Sequence, residues 1–457
     1  MHIRRRILWA VLAVVVAAAF WYVLQPSGPS PYPPLNVILI SIDTLRADHL
    51  GVYGYERDTS PNLDRLARRS TVFTHAVAQA PNTKPSHASL FTSLYYSVHR
   101  VVGDEDARIP EWRVTLPEIL QSHGMATWGF VDGGYLRSVF GFDQGFDHFE
   151  DRKLGIAKIL DNVEHWLDAQ LVPRFFLFIH CYDVHAPYAP PPPFDTLFED
   201  TPYTGDFVPN KENLSEVAQR RRRISPEDLR HVVAQYDGGI RYTDEQLGRF
   251  FESLDRRGLL GSTILIVLSD HGEEFGEHGS MLHWQTHYMP NLHVPLFFFI
   301  PGRSPRTVAE PVELIYVLPT VLDLLGLSPH PPAMGRSLVS LIDGQTAEQE
   351  SAQATFAEPF LLESRRPTVV SDRYQLFYDL ESGQKRLFDI RADPRAKTDI
   401  VDREPDVTQR LLAALEEWLR RVNAANQEIS GPPPKDLTID EATRKELEAL
   451  GYLERSD

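Results

Sequence analysis

Cysteine is almost absent from this chain of 457 residues, which contains only Cys181. A single cysteine excludes an intramolecular disulfide framework, and it excludes a zinc site built from several thiolates. Basic residues are also outnumbered, because 46 lysines and arginines stand against 63 aspartates and glutamates and give a net charge of −17. General binding to nucleic acid depends on basic residues that neutralise phosphates, so we expect no nucleic-acid partner.

Only one apolar run is long enough to span a membrane. It extends from Ile7 to Leu24 and directly follows three arginines at positions 4–6. As a helix this run would cross a bilayer core of about 30 Å. With its basic end inside, it predicts a single-pass protein of the bacterial inner membrane whose catalytic domain lies on the periplasmic side. A cleaved signal peptide is the alternative, but the bulky aromatic residues at positions 20–22 favour an uncleaved anchor.

The rest of the chain alternates between two kinds of pattern. Asn36 to Ile42 is a continuous apolar run, typical of a strand buried on both faces of a parallel sheet, and similar runs recur at 175–179, 263–268 and 296–300. Amphipathic helical patterns lie between them, at 61–69, 115–123, 154–169 and 237–254. This alternation of strands and helices predicts an α/β sandwich.

Composition divides the chain into four segments. Residues 1–34 contain the anchor and a Pro/Ser-rich linker, and residues 35–345 form the predicted catalytic domain. Residues 346–430 carry short alternating segments and an amphipathic helix at 406–423, which predicts a small C-terminal subdomain of antiparallel sheet plus helix. Residues 431–457 form a tail with a short helix predicted at 439–453.

Acidic residues and a histidine follow two of the predicted strands. Asp43 ends the first strand, and Asp270 and His271 follow the strand at 263–268. In open α/β sheets the carboxyl ends of the strands collect ligands from distant parts of the chain, so these side chains are candidate ligands of one metal ion. The alternatives are a helix N-cap for Asp43 and an ordinary polar strand end for the other two.

The segment from Ala80 to Thr92 contains a candidate nucleophile, Thr83. Pro85 can start a helix, which would place Thr83 at the positive end of that helix. A hydroxyl there is well placed to be ionised by a metal and to attack an anionic phosphorus or sulfur centre. From its local sequence alone, an ordinary N-cap is the commoner role for such a threonine.

Three motifs together resemble the sulfatase branch of the alkaline phosphatase superfamily. They are Ser41 to Gly51 (SIDTLRADHLG), the Thr83 segment (APNTKPSHASLFT), and Ser269 to Gly279 (SDHGEEFGEHG). The similarity extends over residues 36–423 and includes His180 to Tyr188 (HCYDVHAPY). It implies an alkaline-phosphatase-like α/β/α sandwich.

The resemblance also implies a role for each matching residue. Asp43, Thr83, Asp270 and His271 would bind a divalent metal, and Thr83 would also be the nucleophile. His185 would be catalytic and would contact the substrate or act as an acid on the leaving oxygen. His283 would also be catalytic and would lie beside the transferred group, and Lys84 and His87 would bind the substrate.

Departures from the family pattern bear on the chemistry. Threonine at position 83 cannot be oxidised to the formylglycine aldehyde of the well-known sulfatases, so that group is excluded, and His87 stands where they have arginine. Thr44 replaces a second acidic ligand, and an expected lysine is missing from residues 129–132. Fewer acidic ligands and an imidazole favour zinc or manganese, with calcium as the alternative.

These residues predict a metal-dependent hydrolase of sulfate, phosphate or phosphonate esters, with an anionic ester as its substrate. An envelope phosphotransferase of the phosphoethanolamine- or glycerophosphate-transferase kind is one alternative. Such membrane enzymes usually carry several transmembrane helices, whereas this chain has one apolar segment. An inactive binding module is the other alternative. The sequence carries no signal for an oligomeric state.

Overall fold

The computed structural model describes residues 35–101, 107–169, 174–283, 286–345, 354–359, 366–429, 431 and 439–450. The predicted membrane anchor and linker at 1–34 lie outside these ranges. Within them, no helix is both long enough and apolar enough to cross a membrane.

Strands form where short β-branched or aromatic runs lie between turns. In the described ranges their bounds are β1 Asn36–Ile42, β2 Thr71–Phe73, β3 Ala76–Val77, β4 Ala126–Phe130, β5 His148–Glu150, β6 Phe175–Cys181, β7 Thr263–Leu268, β8 Glu274–Phe275, β9 Met281–Leu282, β10 His293–Val294, β11 Leu296–Phe299, β12 Arg306–Val308, β13 Val312–Glu313, β14 Thr355–Ala357, β15 Thr368–Val370, β16 Tyr374–Tyr378 and β17 Lys385–Asp389.

Helices follow the amphipathic segments between the strands. Their bounds are α1 Pro61–Ala67, α2 Thr83–Thr92, α3 Tyr96–His99, α4 Leu116–Ser122, α5 Ile156–Ala169, α6 Lys211–Ala218, α7 Pro226–Arg256, α8 Met289–Leu292, α9 Val317–Leu324, α10 Val339–Ile342, α11 Pro405–Glu428 and α12 Glu441–Leu450. Short 3-10 turns lie at Ala47–His49, Gly51–Tyr53, Gly134–Leu136, Ser138–Phe140, Leu259–Ser262 and Leu314–Tyr316.

The central sheet has the strand order β12-β2-β11-β7-β1-β6-β4-β5. β1 pairs parallel with β6 on one side and with β7 on the other, so the runs at 36–42, 175–179 and 263–268 are the parallel strands predicted for them. The run at 296–300 also forms a strand, β11, but this strand is antiparallel to β7. The expectation of a parallel strand there is wrong, because burial on both faces produces the same apolar run in either direction.

Side chains of the central strands alternate between two hydrophobic clusters. Val37 and Leu39 of β1 pack with residues of α2, α4 and α9, whereas Ile38 and Ile40 pack with residues of α5 and α7. Because helices cover both faces, the strand needs no polar side. The predicted α/β/α sandwich is confirmed.

Helix α7 begins at Pro226, well before the start predicted at 237. Ser225 and Asp228 form a capping box around this start. The predicted helix already included Gly238 and Gly239, although glycine disfavours helices. Glycine is required there because a Cβ at Gly238 would lie 2.4 Å from the carbonyl oxygen of Phe194, in the loop between β6 and α6.

The C-terminal subdomain contains the antiparallel sheet β14-β15-β16-β17 and the long helix α11, as predicted. Trp418 of α11 stacks on Phe356 of β14 and meets Tyr95 edge-on, with ring centres 5.3 Å apart in each case. The subdomain and the catalytic core therefore share aromatic packing. The boundary drawn at 345/346 stays a prediction. The predicted tail helix is present as α12, and its expected end at 453 lies outside the described residues.

Candidate active site

The ends of three neighbouring strands meet at one edge of the central sheet. Asp43 directly follows β1, and Asp270 and His271 follow β7, which pairs with β1 in parallel. The Asp43 N–H donates to the carbonyl of Cys181, the last residue of β6, at 3.1 Å. Parallel pairing places the carboxyl ends of these strands side by side, and this brings together residues that are far apart in the sequence.

The donor atoms of Asp43, Asp270 and His271 lie within 4.8 Å of one another, and all three side chains are fully buried. His271 Nε2 lies 3.4 Å from Asp270 Oδ2 and 4.0 Å from Asp43 Oδ1. Two carboxylates and an imidazole are a donor set that divalent metals accept. The structure therefore gathers the predicted ligands into one cluster that could hold a metal ion.

Three of the four carboxylate oxygens of this cluster lack a hydrogen-bond donor. Asp43 Oδ1 and both oxygens of Asp270 are buried without a hydrogen-bond partner. Burial raises the pKa of Asp43 to about 7, and burial together with the nearby Asp43 carboxylate raises the pKa of Asp270. Buried carboxylates are ordinarily paired or bound to a metal. The orphaned oxygens therefore fit a cation site.

The ring of His271 is held in the orientation that a metal ligand needs. Its Nδ1 lies 2.9 Å from the carbonyl of Gly272, which can only accept, so in the neutral ring Nδ1 carries the proton and Nε2 keeps its lone pair. Burial lowers the pKa of His271, but the carboxylates of Asp270 and Asp43 more than offset this effect, and the net shift is upward. His271 Nε2 is therefore the ring atom that faces the carboxylates.

The turn after Asp43 ties β1 to β7. Thr44, which stands where the family pattern has a second acidic ligand, takes a left-handed backbone conformation with φ of 55°, and its hydroxyl donates to the Asp43 carbonyl at 2.8 Å. The next residue, Leu45, donates its N–H to Ser269 Oγ at 2.9 Å. These bonds fix the position of the Asp43 carboxylate relative to Asp270.

Thr83 is the first residue of α2, and its side chain reaches the cluster. Its hydroxyl donates to Asp43 Oδ2 at 3.1 Å and lies 3.3 Å from His271 Nε2. The N-cap position belongs to Asn82, so the N-cap alternative for Thr83 is wrong. The start of α2 adds partial positive charge beside this hydroxyl.

His283 and His185 lie on one side of His271. The ring centre of His283 is 4.4 Å from that of His271, and its Nδ1 is 3.0 Å from Glu273 Oε1. The ring of His185 lies 5.1 Å from that of His283, and its Nδ1 contacts the carbonyl of Ala186. Burial lowers the pKa of both rings well below the ordinary value, so both are uncharged at neutral pH.

Lys84, a predicted substrate-binding residue, directs its ammonium group at protein atoms. Nζ donates to the carbonyl of Ala107 at 3.1 Å and lies over the rings of Tyr135 and Phe140, 4.4 and 4.2 Å from their centres. The side chain is fully buried. Its binding of substrate stays a prediction.

His87, the other predicted substrate-binding residue, lies behind the nucleophile. Its Nε2 is 2.9 Å from Ser41 Oγ, and its Nδ1 is 2.9 Å from the Thr83 carbonyl and 3.4 Å from Asp270 Oδ2. Both ring nitrogens thus contact protein groups, and the ring joins the start of α2 to the carboxylate cluster. A role for His87 in substrate binding stays a prediction.

Two residues at the cluster were missed by the sequence analysis. His180 of β6 is in register with Ser41 of β1, and its Nε2 lies 3.2 Å from Asp43 Oδ2. A histidine at the end of a buried apolar run was a usable signal, but the run does not reveal that β6 lies next to β1. Glu273, which contacts His283, could have been found from its position two residues after His271.

Comparisons with known proteins agree with this architecture. The sulfatase family profile matches residues 35–327. An arylsulfatase from Clostridium perfringens (strain 13 / Type A) is 26% identical in an alignment 444 residues long. The match covers 81% of this chain and 90% of that protein. The crystal structure of the phosphonate monoester hydrolase of Agrobacterium radiobacter has a TM-score of 0.68 at 22% identity and covers 86% of this chain and 96% of that one. A structure in complex with its substrate D-glucosamine-2-N,6-O-disulfate has a TM-score of 0.73 at 18% identity, covering 87% of this chain and all of that one.

The family match spans more than half of the chain and runs from β1 through α9. This region supplies the side chains of the cluster: Asp43, Thr83, Asp270 and His271. The protein therefore belongs to the sulfatase family of the alkaline phosphatase superfamily and is an enzyme that hydrolyses ester bonds.

Proposed function

We propose that this protein is a metal-dependent hydrolase of anionic esters that uses Thr83 as its nucleophile, and that it turns over phosphate diesters or phosphonate monoesters faster than sulfate esters. The observation that carries the proposal is the position of the Thr83 hydroxyl, 3.1 Å from Asp43 Oδ2 and 3.3 Å from His271 Nε2. A hydroxyl becomes a nucleophile when it is activated by a neighbouring base or metal. This hydroxyl touches two of the three candidate metal ligands.

Asp43, Asp270 and His271 would hold the divalent cation, with Thr83 as a further ligand. The orphaned carboxylate oxygens and the lone pair on His271 Nε2 support this assignment. When bound, the cation supplies positive charge that lowers the pKa of an adjacent hydroxyl and offsets the charge of an approaching anion. Zinc or manganese suits two carboxylates and an imidazole better than calcium, which takes a larger shell of oxygens.

The identity of residue 83 bears on the class of ester. Threonine cannot form the formylglycine aldehyde, so its own hydroxyl must attack the substrate. Of the three relatives described above, two act, by their names, on aryl sulfates and on phosphonate monoesters, and the third was solved with a disulfated glucosamine as its substrate. Threonine nucleophiles with this ligand set resemble the phosphodiesterases and phosphotransferases of the superfamily, and we therefore rank phosphorus esters ahead of sulfate esters. Both named relatives are hydrolases, so we propose transfer to water rather than to another alcohol.

The reaction takes place in two displacement steps. In the first, Thr83 Oγ1 forms a bond to phosphorus or sulfur, and the bond from that atom to the leaving oxygen breaks. The proton that Thr83 gives up leaves through Asp43 Oδ2, which accepts this hydroxyl at 3.1 Å, and passes to solvent. His185 takes a proton from solvent and delivers it to the leaving oxygen, which departs as the alcohol. In the second step water attacks the same atom, the bond to Thr83 Oγ1 breaks, and one proton of the water returns to Thr83. The neutral ring of His185 is in the right state to accept a proton at the start.

A panel of 4-nitrophenyl esters tests this function. The sulfate, phosphate monoester, phosphate diester and phenylphosphonate are assayed with wild-type protein that has been stripped of metal and resupplied with zinc, manganese or calcium. We expect the diester or the phosphonate to be turned over faster than the sulfate, and we expect turnover to vanish in Thr83→Ala. Unchanged rates in Thr83→Ala would remove the nucleophile from the mechanism.

Thr92→Ala is the matched control for this variant. Thr92 is the last residue of the same helix, is buried, and donates its hydroxyl to the carbonyl of Ala88 at 2.6 Å. Thr92→Ala therefore removes a buried hydroxyl and its hydrogen bond from the same helix without reaching the cluster. Thr92→Ala should retain most of the wild-type turnover, whereas an equal loss in both variants would indicate that helix α2 had been disturbed.

We also propose that residues 1–34 anchor the enzyme in the bacterial inner membrane, with the catalytic domain in the periplasm. The support is the basic and apolar pattern at 4–24. Fractionation of expressing cells tests this proposal. Full-length protein should sediment with the membranes, and a chain that starts at Leu35 should not.

A further inference from the structure

The C-terminal helix α12 packs against a loop at the edge of the active site, although it lies outside the part of the chain matched by the sulfatase family. The loop, residues 133–140, follows β4 and contains the two 3-10 turns Gly134–Leu136 and Ser138–Phe140. Leu447 of α12 is fully buried in the same hydrophobic cluster as Tyr135 of the loop. The helix is therefore part of the catalytic core.

Glu446 of α12 binds the loop through both carboxylate oxygens. Oε1 accepts the N–H of Gly134 at 2.6 Å, and Oε2 accepts Nη1 of Arg137 at 3.1 Å. The side chain of Glu446 is only 13% exposed. A side chain at Gly133 would collide with the Glu446 carboxylate, so the backbone of the loop is shaped around it. Charge-assisted bonds of this kind are stronger than neutral ones.

The loop in turn contacts the histidines of the site through Tyr182. The N–H of Tyr135 donates to the Tyr182 hydroxyl at 3.4 Å. The ring of Tyr182 meets His185 edge-on at 5.3 Å and His180 edge-on at 4.7 Å. Displacement of the loop would therefore move a ring that packs on His185, the residue proposed to protonate the leaving oxygen.

A second route runs from the same loop to the nucleophile. The rings of Tyr135 and Phe140 cover the ammonium group of Lys84 at 4.4 and 4.2 Å. Lys84 directly follows Thr83 at the start of α2. The loop thus supports both sides of the site.

We propose that α12 is a functional part of the active site and that Glu446 is a positioning residue, which holds the loop at 133–140 in place for Tyr182 and Lys84. The inference rests on the proposed function, in which Thr83 attacks and His185 protonates the leaving oxygen. Loss of the Glu446 carboxylate frees the Gly134 N–H and the Arg137 guanidinium. His185 then loses part of the packing that orients it, while Asp43, Asp270 and His271 keep their contacts with one another.

The test uses full-length protein with Glu446→Ala or Glu446→Gln. Two phenylphosphonate monoesters are compared, one with a 4-nitrophenol leaving group, which needs little protonation, and one with phenol, which needs more. Glu446→Ala should lower kcat/KM by about tenfold on the phenyl ester and by less than about threefold on the 4-nitrophenyl ester. This is expected because the variant loses two charge-assisted bonds, to Gly134 and Arg137, whose effect reaches the reaction through the acid. Glu446→Gln keeps an acceptor for the Gly134 N–H and should recover most of the loss.

Hydrogen exchange supplies a readout that does not depend on activity. Glu446→Ala should raise amide exchange in residues 133–140 and in residues 180–186, with little change elsewhere. Glu441→Ala is the matched control, because Glu441 lies on the same helix, is exposed, and pairs with Lys445 one turn along that helix. It should change neither the exchange nor the ratio of the two rates.

Equal rate losses on the two esters, or unchanged exchange at 180–186, would overturn the route from Glu446 through Tyr182 to His185. The proposed function fails in a different way, through turnover that survives Thr83→Ala. If His185→Ala loses equal activity on both esters, the acid assignment is wrong, and the exchange experiment still decides whether Glu446 holds the loop.

Discussion

Glu313→Gln should stabilise this protein by about 3 kcal/mol at pH 8 and change its stability little near pH 4.5. Glu313 lies in β13 and is fully buried. Its Oε2 accepts the hydroxyl of Tyr95 at 2.8 Å, and its Oε1 accepts the N–H of Phe356 at 2.7 Å. Burial raises the pKa of the carboxyl from 4.5 to about 7, and these hydrogen bonds only partly counter the effect.

The sign follows from comparing the two states. The pKa in the folded protein lies above that in the unfolded chain, so the stability associated with the protonated carboxyl is fully present below pH 4.5 and is lost as the pH rises through about 7. Each pH unit between the two values corresponds to about 1.4 kcal/mol, which makes the loss about 3 kcal/mol at pH 8. Glutamine carries no charge at any of these pH values, and its carbonyl can accept the Phe356 N–H.

Urea unfolding of both proteins between pH 4.5 and 8, followed by tryptophan fluorescence, measures this difference. Other buried acids, such as Glu358 with a pKa of about 7 and Asp244 with a pKa of about 6, titrate in both proteins and cancel in the comparison. Glu381→Gln, at an exposed turn, serves as the control and should show no such pH dependence. A difference between wild type and Glu313→Gln that is the same at pH 5 and pH 8 would refute the reasoning.

Three further predictions concern the site and its support. Removal of the metal with a chelator should lower the melting temperature of the wild-type protein. The lost stability should be about 2.7 kcal/mol if the metal had been present at about 100 times its Kd. The melting temperature of Asp270→Ala should not respond to the chelator. A wild-type melting temperature that is indifferent to chelator would contradict the metal site. His283→Ala and Glu273→Gln should each lower kcat/KM. Because Glu273 contacts His283 Nδ1 at 3.0 Å, the double variant should be little worse than either single variant. Additive losses would show that the two residues act separately. Asp237→Ala should lower the free energy of unfolding in urea by about 3–5 kcal/mol. The buried carboxylate of Asp237 contacts His49, Tyr55 and Arg57 within 2.9 Å, and the variant leaves these groups without it. A loss below about 1 kcal/mol would count against that network.

The secondary structure was predictable from the sequence where burial leaves a periodic trace. β1 and β7 were predicted with the bounds that the structure shows, because strands buried on both faces are continuously apolar. The direction of β11 was not predictable, since its apolar run is compatible with either orientation. The start of α7 was missed although Ser225 and Asp228 form a capping box there, because a cap is a short signal without the periodicity of the helix that follows.

The candidate site was only partly predictable. Asp43, Asp270 and His271 could be chosen because they follow apolar runs, and the rule that strand ends gather ligands does not require knowledge of the strand order. His180 follows the same rule, but its contact with Asp43 depends on β6 being the neighbour of β1. The contacts of Lys84 with the rings of Tyr135 and Phe140 depend on how a loop folds over α2, which no local pattern encodes.

By itself, the sequence determined the fold class, the family and the candidate residues for the chemistry, above all the threonine at position 83, which cannot form formylglycine. These properties are contained in residue types and short spacings, which are local. The tertiary structure decided that Thr83 reaches Asp43 and His271 instead of capping its helix, and that Glu446 of the C-terminal helix supports the loop beside Tyr182. Such contacts join residues that are distant in the chain, and their geometry is set only when the sheet order and the packing of the helices on it are complete.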